Sequence, residues 1–77
     1  MEKLSVNIAV REEQMNEKKV YIVNNEETGV ADFGDTLEEA IGNFKKSLKL
    51  YLEAYPEKRK IFVEDEKEPV LVSRISL

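Results

Sequence analysis

Cysteine and histidine are both absent from this 77-residue chain. Without cysteine there is no disulfide, no thiolate metal site and no thiol catalysis. Without histidine the chain lacks the commonest metal ligand and the commonest general base near neutral pH. No nucleophile–base pair of the usual kind remains, and Ser5, Ser47, Ser73 and Ser76 have no activating neighbours. A non-enzymatic protein is expected, with no cofactor and no metal. Long apolar runs are missing too: nothing approaches the ~20 residues of a membrane span. Met1-Glu2-Lys3-Leu4 leads directly into alternating sequence, with no apolar h-region. The expectation is a soluble, cytoplasmic protein that makes no membrane contact.

A single domain over residues 1–77 is expected from length. Chains this short bury only about 60–65% of their unfolded surface. Small scaffolds usually need a staple. With disulfides excluded and metal disfavoured, self-association is the expected one, as a homodimer or larger homo-oligomer.

Charged residues make up 36% of the chain, and the net charge is −4. Residues 1–36 hold four basic and eight acidic side chains, so 4 − 8 = −4. Residues 37–77 hold eight of each and cancel. An acidic chain is poorly suited to neutralising phosphates, so no direct nucleic-acid binding is expected. A partner with a basic face suits it better.

Leu4, Val6, Ile8 and Val10 alternate with Ser5, Asn7 and Ala9, the period of a half-buried strand. Arg11 to Lys19 is polar and reads as a loop. Val20 to Val23 is β-branched and reads as a second strand. Asn24 to Gly29 reads as a turn whose Asn and Gly residues can take positive φ. A short third strand spans Val30 to Phe33, completing an antiparallel meander.

Thr36-Leu37-Glu38-Glu39 then matches a capping box, with acids at the positive end of the helix dipole. Capping accounts for Glu38 and Glu39 more simply than acid/base chemistry. Leu37, Ala40, Ile41, Phe44, Leu48, Tyr51, Leu52 and Tyr55 form one apolar stripe, and Pro56 ends the helix near residue 55. Gly42 costs about 1 kcal/mol relative to alanine, and either admits a nearby backbone or is merely tolerated. Gly42 to Ser47 has the look of a phosphate loop, but it lacks the upstream glycine and falls mid-helix.

Ile61-Phe62-Val63 reads as either a strand or a packed loop. Glu64, Asp65, Glu66 and Glu68 form an acidic turn without the spacing of a calcium loop. Val70 to Leu77 alternates again, with Leu71, Ile75 and Leu77 on the face expected to be buried. The order is β-β-β-α-β. The expected fold class is α+β, an antiparallel β-sheet with one long helix packed on one face. The other face stays partly open, with at least one unpaired edge.

Tyr21-Ile22-Val23, Glu27-Thr28-Gly29-Val30 and Gly34-Asp35-Thr36-Leu37-Glu38-Glu39-Ala40 together resemble the HicB family of antitoxins. Phe44, Leu48, Leu50, Tyr51 and Leu52 continue the likeness along the helix, so that it covers about residues 4–55. Thr28 stands before Gly29 where the family usually has proline. Many relatives continue into a DNA-binding segment, whereas this sequence closes on a strand, so the resemblance implies toxin binding and not operator binding. It also implies a partial dsRBD-like fold. The implied partner is a HicA-like toxin, a small basic mRNA-cleaving protein, neutralised by covering its active site. Within that reading Glu26, Glu27 and Asp32, bordering the second and third strands and expected to be exposed, are the candidate partner-binding residues. The alternative is a stand-alone HicB-like interaction domain that self-associates and has no toxin partner.

Overall fold

A computed structural model of the chain describes residues 4–63 and 74–77. Five strands, one helix and a 3₁₀ turn form an α+β fold. Strands β2 (Ala9–Met15), β3 (Lys18–Asn24) and β4 (Ala31–Gly34) make a three-stranded antiparallel sheet in the order β2-β3-β4. Strands β1 (Ser5–Asn7) and β5 (Arg74–Ser76) pair antiparallel as a separate ribbon. Helix α1 (Leu37–Ala54) packs on the strands.

The first strand differs from the sequence reading. Its alternation holds for Leu4 and Val6, which are buried, and for Ile8, which packs against the core, but Val10 is exposed. Its pairing, however, changes at Ile8: residues before it join β5, and residues after it join β3. The stretch Arg11 to Lys19, read as a loop, is a β-hairpin. Met15 pairs with Lys18 across the two-residue turn Asn16-Glu17, where φ is 49° and 66°. Positive φ at both positions matches the twist of the flanking strands, as in a type I′ turn. The misreading has a physical origin: all seven residues of β2 are exposed, so no apolar alternation marks it as a strand. Polar pairing supports it instead, through Lys19–Glu12 at 3.7 Å across the hairpin and Arg11–Glu13 at 3.8 Å along β2. Each such exposed pair contributes a few tenths of a kcal/mol.

The helix follows the sequence reading closely. Thr36 is its N-cap, and its Oγ accepts from the Glu39 N–H at 3.1 Å. Of the expected stripe, Ala40, Phe44, Leu48 and Leu52 are buried, with Ile41 and Tyr51 half-buried. The stripe's two ends, Leu37 and Tyr55, are exposed. Pro56 starts a 3₁₀ turn (Pro56–Phe62), which drives Phe62 into the core at 1% exposure. Ile61-Phe62-Val63 is therefore the end of that turn followed by a single bridge from Val63 to Leu4. The core joins Leu4, Val6, Val23, Ala40, Phe44, Leu48, Leu52 and Phe62.

Close backbone approach occurs at Gly34, not Gly42. A Cβ on Gly34 would lie 2.6 Å from the Ala40 nitrogen, whereas one on Gly42 meets nothing within 4 Å. Gly34 thus lets the end of β4 abut the first turn of α1. Of the final strand, Ile75 and Leu77 pack against the core as expected. Leu71 and the acidic stretch Glu64 to Glu68 lie outside the described residues. No described helix is long and apolar enough to cross a membrane.

Candidate protein-binding surface

The turn between β3 and β4 is built on Asn25, the one buried polar residue among those described, at 1% exposure. Its Nδ2 donates to the Asn7 carbonyl at 2.8 Å. Its Oδ1 accepts from the Thr28 N–H and from the Thr28 hydroxyl, both at 2.9 Å. Backbone bonds from the Asn25 N–H to the Val30 carbonyl and from the Gly29 N–H to the Asn25 carbonyl close the loop. Of the turn residues able to take positive φ, Gly29 does so at 76°, and Asn24 and Asn25 do not. Asn7 is where the chain leaves β5 for β3, so Asn25 pins the loop to that break. Arg74 holds the other side of Asn7, its Nε donating to Oδ1 at 3.1 Å.

This pinning opens a groove of about 280 Å³ lined by Asn7, Ile8, Ala9, Asn24, Asn25, Glu26 and Glu27. Glu26 and Glu27 are both exposed on its wall, and no ion pair among the described residues involves either. Asp32 is not with them. It is half-buried and faces the helix, where its Oδ2 accepts from the Ser47 hydroxyl at 2.6 Å. Its Oδ1 accepts from the Phe33 N–H at 2.8 Å. Expected to be exposed, Asp32 instead ties β4 to α1. The reason is its register: it lies opposite Val23, a core residue, and shares that side of the sheet.

Charge is segregated along the chain. Residues 9–36 carry three basic and seven acidic side chains, 3 − 7 = −4. All three bases are in ion pairs: Arg11 with Glu13, Lys19 with Glu12, and Lys18 with Asp35 at 3.1 Å. Glu17, Glu26, Glu27 and Asp32 are left outside those pairs, and of these Asp32 is hydrogen-bonded to Ser47. Residues 37–63 carry six basic and four acidic side chains, 6 − 4 = +2.

The sheet face turned away from the helix adds an apolar element that sequence reasoning missed. Phe33 is 61% exposed there and lies directly opposite half-buried Ile22. Ala31 and Met15 share this side by strand alternation, and Met15 is 53% exposed. The signal was present in the parity of β3: Tyr21 and Val23 face the helix, which turns Ile22, and hence Phe33, outward. Both backbone groups of Phe33 are occupied, the N–H by Asp32 and the carbonyl by Asn43 Nδ2 at 2.9 Å. The β4 edge is thereby blunted against strand addition at that residue.

The described surface thus carries an acidic groove beside Glu26 and Glu27 and, separately, an apolar patch at Phe33 and Ile22. Among the described residues no three carboxylates come together as a metal site. No family model, curated protein or solved structure matches the chain.

Proposed function

We propose that this protein is a non-catalytic, HicB-like antitoxin. In this reading it binds a small basic, HicA-like mRNA-cleaving toxin and covers the toxin's active-site surface. One observation carries the proposal: the sheet half of the molecule uses all three of its bases in internal ion pairs, leaving Glu26 and Glu27 beside a groove. An RNA-binding toxin surface is basic, and an acidic surface competes with RNA for it. The likeness of the Gly34-to-Ala40 helix opening and its flanking elements to the HicB pattern gives that partner its identity. Glu26 and Glu27 are the contact residues, and Asp32 is withdrawn from that role to a structural one.

Recovery of the protein from its native cells at low salt tests this. The expected result is a stoichiometric, small, basic protein that cleaves RNA alone and stops cleaving when the purified chain is added. Recovery with no such protein, or a partner whose cleavage persists, contradicts the proposal.

A second reading is a stand-alone module of the same kind that associates with itself. Exposed Phe33 opposite Ile22 favours it, because an apolar patch on an open sheet suits a second copy. Light scattering of the purified chain tests self-association, and the two readings part on the partner: a homodimer or larger species recovered from native cells with no toxin supports the stand-alone module, and a monomer at all concentrations contradicts it.

A further inference from the structure

A second surface, lined by different residues from the groove beside Glu26 and Glu27, is not used by the antitoxin reading. Where α1 ends, a cleft of about 420 Å³ opens between the helix, the 3₁₀ turn and the β1–β5 ribbon. Its apolar lining comes from Leu4, Leu52, Pro56 and Leu77. Lys49, Arg59 and Glu53 supply its charged rim, and all three are exposed. Four further cations flank it in sequence: Lys45 and Lys46 one turn earlier on the helix, and Lys58 and Lys60 on either side of Arg59. Residues 45–60 thus hold six bases against the two acids Glu53 and Glu57. The three ion pairs among the described residues all lie in the sheet half.

We infer that this cleft docks an acidic peptide segment of a partner protein, with an apolar side chain of that segment seated on Leu4 and Leu52. Charge complementarity selects an anionic occupant. The apolar floor selects one that also carries a hydrophobic anchor, since such anchors in pockets dominate peptide recognition. Nucleic acid fits less well. Among the described residues the lining has no aromatic ring on which a base can stack, and its floor of Leu4, Leu52, Pro56 and Leu77 offers a phosphate backbone nothing to pair with. The run of cations at 45, 46, 58 and 60 on either side of the lining residues in sequence favours an extended segment over a small amphipathic anion. The cation-rimmed cleft and the acidic groove share no lining residue and select partners of opposite charge, so this site stands independently of the antitoxin reading.

The test is fluorescence anisotropy with labelled octapeptides and the intact chain. The probes are an alternating glutamate–leucine peptide, its glutamate–serine counterpart, a lysine–leucine counterpart and oligouridylate. The glutamate–leucine peptide is expected to bind best, and the double charge reversal Lys49→Glu with Arg59→Glu to weaken it by about tenfold. Both positions are exposed, so the reversed protein keeps its fold, which circular dichroism checks. Glu26→Lys with Glu27→Lys leaves this binding unchanged or strengthens it slightly. Amide shift mapping with the same peptide is expected to move Leu4, Leu52 and Arg59 and to spare Ile22 and Phe33. Equal binding of the serine peptide, tighter binding of oligouridylate, indifference to the double reversal, or shifts centred on the sheet would each overturn the inference.

Discussion

The side chain of Asn25 makes three hydrogen bonds, one to the strand break at Asn7 and two to Thr28 in its own loop. A buried amide that loses such partners leaves the groups it served unsatisfied, at about 1–3 kcal/mol. Asn25→Ala is therefore expected to lower the free energy of unfolding by that amount in urea titration, and to loosen the loop carrying Glu26 and Glu27. An unchanged denaturation midpoint would show that the loop does not depend on this anchor. Asp32 and the glutamates separate in the same way. Asp32→Ala removes the hydrogen bonds to Ser47 and the Phe33 N–H and is expected to cost about 1 kcal/mol of stability. It should leave partner affinity within about twofold, since two exposed carboxylates and not this one face the groove. A large affinity loss with unchanged stability would return Asp32 to the contact surface.

Among the elements, the helix depends on two glycines with opposite roles. Gly34→Ala drives a Cβ into the Ala40 backbone and is expected to destabilise by about 1–3 kcal/mol through displacement of the helix start. Gly42→Ala enters open space in a helix interior and is expected to stabilise by about 1 kcal/mol. Thermal unfolding of the two variants should therefore shift in opposite directions. The same contrast marks what the sequence made legible. Helix α1 could be read because its cap, stripe and closing proline all agree on one answer. The buried faces of β1 and β5 could be read because apolar alternation survives in them. Strand β2 could not, because both of its faces are exposed and its pairing rests on a two-residue turn, Asn16-Glu17, without the usual glycine. Asp32 was misplaced because a polar residue in a short strand carries no mark of the side it takes. That side follows only from its opposition to Val23. The groove beside Glu26 and Glu27 depends on Asn25 reaching back eighteen residues, a contact that no local pattern encodes.

At the scale of the whole molecule, the organising feature among the described residues is the separation of charge between the acidic stretch 9–36 and the cation-rich stretch 37–63. Exposed, screened charges govern encounter and specificity more than fold stability. Reversing Glu26 and Glu27 is accordingly expected to leave unfolding unchanged while altering what the protein binds. The most direct measurement captures partners from native cells at low salt with the unaltered protein and with Glu26→Lys/Glu27→Lys, side by side and quantified by mass spectrometry. The account predicts one stoichiometric, small, basic RNA-cleaving protein with the unaltered chain, depleted at least about tenfold with the reversed one. Equal recovery of that protein by both would contradict the assignment of the acidic surface, and recovery of the chain only with itself would contradict the antitoxin role.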